Sequence, residues 1–310
     1  MIKAVFFDID GTLLSFTTHR VSEGTVKAFD LLHQNGIRTF IASGRPQVLI
    51  PTLPVTFEGY CTMNGGYVTA DGVPLLKRPI PQDESDRWLD YCHQHALCIM
   101  VFTETAMYVC NLNDAARALH GKLQFEMPPE RDAVSLIGSE IYQIIVLGPP
   151  SIDAVITSVM PSCRTPRWCD AFTDVVREGN DKATGLSKIC DYYGIRREET
   201  MAIGDGANDI EMLEWAAVGV AMGNADDTVK AHARWVTTDV DQEGILHAVE
   251  RLLKLESLKR QLHDYEELST AMLDDMSFVA RGNGFCDTKY SDLFLEEKMQ
   301  ALRKAIAALE

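Results

Sequence analysis

Two aspartates, Asp8 and Asp10, follow the apolar run Ala4-Val5-Phe6-Phe7 and lead at once into Gly11-Thr12-Leu13-Leu14. The run reads as a buried parallel strand that stops in a polar, tightly turned loop. With a side-chain period of two, both carboxylates lean the same way, and Gly11 turns the backbone so that the acids crowd one small space. Such a pair calls for a hard cation such as Mg²⁺, held by oxygen ligands, or for a shared proton that keeps one acid neutral. An ordinary Asp-Gly turn accounts for Asp10-Gly11 alone. A second acidic corner lies at Met201 to Met212, where Gly204-Asp205-Gly206-Ala207-Asn208-Asp209 separates a short apolar strand from a helix. A generic strand-turn-helix corner needs glycine, but neither two aspartates nor an asparagine facing them.

These groups need a scaffold. Val21 to Leu32 carries apolar residues at helical spacing and Asn35-Gly36 stops it. Ile37 to Ala42 is a second strand, ending in Ser43-Gly44-Arg45-Pro46. Strand, helix and strand make the opening βαβ unit of a parallel sheet, in which ligands bind at the carboxyl ends of the strands. Ser43 then falls beside Asp8, where its hydroxyl and the adjacent N–H groups could hold a phosphoryl oxygen; a helix N-cap by Ser43 with Pro46 in the first turn is the plainer reading. Gly59 to Met63 is another short strand, and Asn64-Gly65-Gly66 reads as a hairpin turn into Tyr67–Ala70.

From Pro79 the texture changes. A helix over Glu84–His95, strands over Cys98–Phe102 and Met107–Cys110, a helix over Asp114–His120 and a loop at Met127-Pro128-Pro129-Glu130 come first. A strand over Ile141–Leu147, a helix over Ile152–Met160 and strands over Cys163–Cys169 and Phe172–Val176 follow. Adjacent strands mixed with helices indicate an α+β module, inserted over residues 80–177. His93, His95 and His120 are scattered through it and read as surface or packing residues. Gly179-Asn180-Asp181-Lys182 then opens a helix to Tyr193 that Gly194 ends, with Lys182 on its first turn. Val218 to Ala225 repeats the strand-to-loop pattern, with Asn224 as a turn residue before a helix at Thr228–Ala233. Val236-Thr237-Thr238 gives a last strand, and Gly244–Leu255 a helix.

Composition narrows the class. With 310 residues, 46% hydrophobic and 24% charged, the chain has enough apolar material for about two soluble globular domains. A net charge of −16 argues against nucleic acid or an anionic membrane as partner, so any phosphate must find a locally positive site. The eight cysteines form no C-x-x-C pair, which fits reduced, buried thiols in a cytoplasmic protein. No stretch approaches the ~18 apolar residues of a membrane helix, and no signal-peptide core precedes Asp8.

Asp8-Ile9-Asp10-Gly11-Thr12 resembles the first motif of the haloacid dehalogenase superfamily of phosphotransferases. Ser43 is similar to its second motif, Lys182 to its third, and Gly204-Asp205-Gly206-Ala207-Asn208-Asp209 to its fourth as it stands in the Cof-type branch. Ser43-Gly44-Arg45 with Asn64-Gly65-Gly66 strengthens the likeness to that branch, although Ala183 stands where Lys-Gly is common. The resemblance covers roughly residues 1–255. It implies an α/β fold: a Rossmann-like parallel-sheet core with helices on both faces, from residues 1–79 and 178–255, plus the inserted α+β cap domain of residues 80–177.

It further implies that Asp8 is a nucleophile and Asp10 a general acid/base. Mg²⁺ would be held by Asp8, Asp205 and the backbone carbonyl of Asp10, with Asp209 binding directly or through water and positioning Lys182. Ser43, Gly44, Arg45, Asn64, Lys182, Asn208 and Asn224 would contact phosphate or substrate. The expected activity is a Mg²⁺-dependent phosphatase acting on a small phosphorylated metabolite, a sugar phosphate or similar, through an aspartyl-phosphate. A phosphosugar mutase of the same superfamily and a non-catalytic metabolite-binding module are the alternatives. Residues 256–310 are an extension beyond the resemblance. Leu255, Leu258, Leu262 and Tyr265, and, past Arg281-Gly282-Asn283-Gly284, Leu295, Met299, Leu302, Ile306 and Leu309, make amphipathic stripes that pack back on the core or form a homodimer.

Overall fold

The central strand β1 (Ala4–Phe7) is inaccessible to solvent along its whole length, because both faces of the sheet around it are covered. The computed structural model of the chain describes residues 1–114, 116–117, 128–279 and 289–310, which separate into residues 2–245 and, with Met1, residues 246–310. In the first unit β1 pairs in parallel with β2 (Arg38–Ala42) on one side and β12 (Thr200–Gly204) on the other. Beyond β12 lie β13 (Val218–Ala221) and β14 (Trp235–Val236), also parallel. Beyond β2 lie parallel β3 (Gly59–Thr62), then antiparallel β4 (Tyr67–Ala70) and β5 (Val73–Lys77).

The two-residue period of β1 sorts the helices. Phe6 stacks on Phe40 and packs with Leu186, Ile189 and Cys190 of α4 (Lys182–Tyr193), whereas Phe7 faces the other way and stacks on Phe29 of α1 (Glu23–Gln34). Each helix starts on a side-chain cap: Ser22 accepts from the Thr25 amide, and Asp181 from the Thr184 amide. The α/β class expected from the sequence is the observed one. One strand was missed: β5 carries Pro74, which lacks an amide donor and so suits the sheet edge where it lies.

A second, wholly antiparallel sheet is built between α2 (Gln82–Gln94) and residue 177. Its strands are β6 (Ile99–Thr103), β7 (Met107–Cys110), β8 (Ile141–Leu147), β9 (Cys163–Arg164), β10 (Arg167–Cys169) and β11 (Phe172–Arg177). The single strand expected over Cys163–Cys169 is two short ones along β11, split at Pro166. Ile99, Val101, Ile144, Val146 and Val175 pack on α2 and α3 (Ile152–Val159), covering one face. The other face turns Met100, Phe102, Met107 and Val109 away from those helices. The expected helix Asp114–His120 is followed at residues 114, 116 and 117; the rest of it, Met127, Cys286 and the stretch Arg281–Gly284 lie outside the described residues.

The segments entering and leaving this second sheet run side by side. Arg78 donates through Nη1 to the Gly179 carbonyl at 3.0 Å and through Nη2 to the Glu178 carbonyl at 3.2 Å. Arg177 donates to the Pro79 carbonyl, and Asn180 to the Arg78 carbonyl.

In the C-terminal unit the helix expected to end at Leu255 continues. α5 (Gly244–Val279) is one helix, since Leu255-Glu256-Ser257 contains neither glycine nor proline to stop it. α6 (Lys289–Ala307) runs back along it: Arg251 donates to the Leu309 carbonyl, Lys259 pairs with Glu310, and Arg303 with Glu266. Leu295, Met299 and Ile306 of the amphipathic stripe are buried. Among the described residues no helix is long and apolar enough to cross a membrane.

Candidate active site

Three neighbouring parallel strands end at one edge of the sheet, and each delivers a polar residue there. Asp8 follows β1, Asp205 follows β12 and Ser43 follows β2. Lys182 enters from the first turn of α4 and is completely buried. Its ammonium donates to Asp8 Oδ1 at 2.6 Å and to Asp209 Oδ1 at 2.5 Å. The other Asp209 oxygen accepts from the backbone amides of Asp205 and Gly206, at 2.9 and 2.8 Å, which ties the acidic loop to the lysine. Gly204 makes that closeness possible: a Cβ there would lie 2.5 Å from Asp209 Cγ.

One ammonium serves a crowd of acids. Burial, and then the charges of Asp209, Asp205 and Asp10, push the Asp8 carboxyl well above its ordinary value despite the pull of Lys182. Burial and Asp209 push Asp205 up to about 7, against a hydrogen bond from Thr12 and the charge of Lys182. Burial opposes the charge on Lys182, but Asp209 and Asp8 together outweigh it and raise its pKa, so it stays an ammonium. Oxygen atoms of Asp8, Asp205 and Asp209 lie within 4.8 Å of one another. An all-oxygen donor set short of positive charge suits a hard divalent cation such as Mg²⁺.

Asp10 is turned outward from this cluster. Arg45 grips it with two parallel bonds, Nε to Oδ2 at 2.7 Å and Nη2 to Oδ1 at 2.6 Å. The sequence pattern assigns Arg45 to phosphate or substrate; its guanidinium lines the cavity but is engaged with Asp10. Asn224 departs further from expectation. Its amide donates to the Gly11 carbonyl at 2.8 Å and to Asp205 Oδ2 at 3.2 Å, and its carbonyl accepts from Val240 N, so it stitches two loops together behind the cavity. Asn224 thus bridges three groups of the scaffold, and it does not stand among the residues that line the cavity. Asn208 and Asn64 do reach the cavity, joined to each other at 3.1 Å, and Asn64 leans on Gln143 of β8 at 3.4 Å. Ser43 Oγ accepts from the Arg45 amide at 3.1 Å, holding the Ser43-Gly44-Arg45 turn at the cavity wall.

The cavity has a volume of about 460 Å³. Its floor is Asp8, Asp10, Ser43 and Asp205; its roof comes from the face of the second sheet that carries Met100, Phe102 and Met107. Sequence reasoning missed the roof, and with it Gln143 and Asp174. Gln143 interrupts the largely apolar run Ile141–Leu147, and that was the available signal; Asp174 stands beside Thr173 in the mixed strand Phe172–Arg177, which offered none. His93 pairs with Asp132 and His95 stacks on Tyr91, both outside the site.

Gly11 carries a testable constraint. It sits at φ +85°, and a Cβ there would collide with Asp205 Oδ2. Gly11→Ala should therefore cost about 1 kcal/mol or more of backbone strain and displace Asp205, cutting turnover by roughly 100-fold. Steady-state kinetics and a melting curve would test it, and an unaffected kcat would show that Asp205 need not hold this position.

A family model described as haloacid dehalogenase-like hydrolase matches residues 5–249. The chain belongs to the haloacid dehalogenase-like hydrolases. Among members of this family, YkrA of Bacillus subtilis (strain 168) is 31% identical over 253 residues, covering 81% of this chain and 97% of YkrA. The 5-amino-6-(5-phospho-D-ribitylamino)uracil phosphatase YitU of the same organism is 27% identical over 286 residues, covering 81% and 97%. Among solved structures, that of the subclass IIB sugar phosphatase BT4131 aligns with a TM-score of 0.74 at 36% identity over 81% of this chain and 98% of that one. BT1666 from Bacteroides thetaiotaomicron aligns with a TM-score of 0.74 at 32% identity over 81% and 94%. As a haloacid dehalogenase-like hydrolase, the chain is an enzyme.

Proposed function

We propose that this enzyme is a Mg²⁺-dependent phosphatase that hydrolyses a small phosphorylated metabolite through an aspartyl-phosphate on Asp8. The observation that carries the reading is the buried Lys182 bridging Asp8 and Asp209, with Asp205 alongside, at the floor of a cavity. Asp8 and Asp205, with the backbone carbonyl of Asp10, would hold the ion, and Asp209 would reach it through water while fixing Lys182. When bound, Mg²⁺ offsets the repulsion between a carboxylate and an incoming phosphate.

The chain's own groups account for the remaining steps. An Asp8 oxygen attacks phosphorus as the bond to the ester oxygen breaks, and protonated Asp10 gives its proton to that leaving oxygen. Asp10 then takes a proton from the water that attacks the acyl-phosphate, which releases inorganic phosphate and restores Asp8. Ser43 and the Lys182 ammonium stabilise the equatorial oxygens through charge and dipoles already in place. Arg45 holds Asp10 as a carboxylate through both oxygens, so this contact opens when Asp10 takes up the proton it delivers. Residues 80–177 act as a cap that supplies the roof and selects the group attached to phosphate.

Phosphate release from p-nitrophenyl phosphate tests the reading. Activity should fall at least ~100-fold in EDTA and return on adding Mg²⁺. Absence of release with any divalent ion would remove the phosphatase assignment.

A further inference from the structure

The roof of the cavity is chemically unlike its floor. Seven side chains descend from the second sheet, and five of them, Met100, Phe102, Met107, Ile145 and Phe172, are apolar. Three of the five, Met100, Phe102 and Met107, are 3, 5 and 6% exposed, so they already form a packed wall that needs no ligand to order it. From the floor's rim Pro46 and Leu49 extend the same character. The roof's polar groups are Gln143, 3% exposed and hydrogen-bonded to Asn64, and the carboxylate-bearing Asp174, 5% exposed.

We infer that the group carried on the phosphate is a flat apolar or aromatic body, such as a benzylic or heteroaromatic phosphomonoester, in preference to a polyhydroxylated sugar phosphate. The inference rests on the phosphatase reading for the phosphate end and refines the other end. A hexose brings several hydroxyls, each of which must give up water on binding. Against thioether and phenyl walls those hydroxyls find no partner, and an unmade hydrogen bond in a closed site is costly. Gln143 of the roof, with His19, Asn64 and Asn208 at the rim of the floor, can satisfy those that reach them, but not the hydroxyls that face the wall. An aromatic ring instead gains from burial and from edge and face contacts with Phe102, Phe172 and the methionine sulfurs. The roof therefore selects by polarity while the floor handles every phosphate alike.

The test compares phosphate esters of primary alcohols, with acetyl phosphate, a more reactive acyl phosphate, as the control for the chemistry of the floor. For the Mg²⁺-loaded full chain, kcat/KM is measured with acetyl phosphate, benzyl phosphate, pyridoxal 5′-phosphate and glucose 6-phosphate. Benzyl and pyridoxal phosphates should exceed glucose 6-phosphate by about 100-fold, chiefly through tighter binding. Glucose 6-phosphate equal to or better than benzyl phosphate, with acetyl phosphate turned over, would overturn the apolar-body inference and leave the phosphatase reading standing. Binding of benzylphosphonate and methylphosphonate, followed by calorimetry, reads the roof without turnover. Tighter benzylphosphonate binding by 10-fold or more, with no substrate hydrolysed, would support the apolar roof while the phosphatase reading fails; equal affinities would overturn the roof inference whatever the turnover. Phe102→Asn should shrink the benzyl-to-methyl affinity ratio. Leu49→Asn, at the exposed rim, should shrink it as well, a readout that does not depend on the Phe102 variant folding.

Discussion

Asp8→Asn is expected to abolish phosphate release while leaving the protein as stable as before, or more so. The carboxamide keeps the shape of the side chain but is a poor nucleophile, so turnover should fall by at least ~10⁴-fold. Stability should move the other way. Folding raises the Asp8 pKa, so in the ion-free protein the unfolded chain ionises this group more readily than the native one. At neutral pH its charge therefore subtracts from stability, and the opposition vanishes only as pH falls below both values. Removing the charge relieves Asp205 and Asp209, and Lys182 keeps Asp209 as its partner. Melting curves in EDTA beside a phosphate-release assay would show the two effects separating. Turnover above about 1% of wild type would remove Asp8 as the nucleophile.

Lys182→Met should damage both properties. The ammonium is wholly buried and is the hydrogen-bonded cation shared by Asp8 and Asp209. Its folded pKa is raised, so its contribution is fully present at neutral pH and is lost only when pH climbs through that higher value. Methionine fills much of the volume but leaves two buried carboxylates without their cation, a change that costs about 3–5 kcal/mol. Loss of the charge opposite the phosphate should lower kcat by about 1,000-fold. Denaturant unfolding in EDTA and then in excess Mg²⁺ separates the electrostatic cause from a packing defect. The ion should restore part of the lost stability, because it supplies positive charge to the same acids. A variant as stable as wild type in EDTA would contradict this account of the site.

Much of the floor was legible because chemistry and fold use the same signal there. An apolar run that ends in Asp and Gly marks both a buried strand and what stands at its carboxyl end, so Asp8 and Asp205 could be read together although 197 positions separate them in sequence. Lys182 was legible for a related reason: it opens a helix directly after Asp181, which caps it. The roof was not. Ile99–Thr103 is apolar on both faces of its strand, and no pattern distinguishes side chains that meet helices α2 and α3 from those that meet a cavity. Arg45 and Asn224 show a different gap. A motif can bring a polar side chain to a site, but which acceptor it takes depends on loops that meet only in three dimensions: Asp10 for one, Gly11 and Asp205 for the other.

The paired crossings at Arg78–Pro79 and Arg177–Asn180 have a consequence for inheritance. Because the chain leaves and re-enters the parallel sheet at one point, everything between can be exchanged, lengthened or recast without cutting a strand that carries an acid. Selectivity and chemistry can thus change on separate evolutionary clocks. The coupling that remains is short: Asn180, hydrogen-bonded to the outgoing crossing, is two residues from Lys182. A graft that shifts this hinge by a fraction of a turn would move the one ammonium on which the acids depend, so a recombined module must first keep its junction and only then its contents.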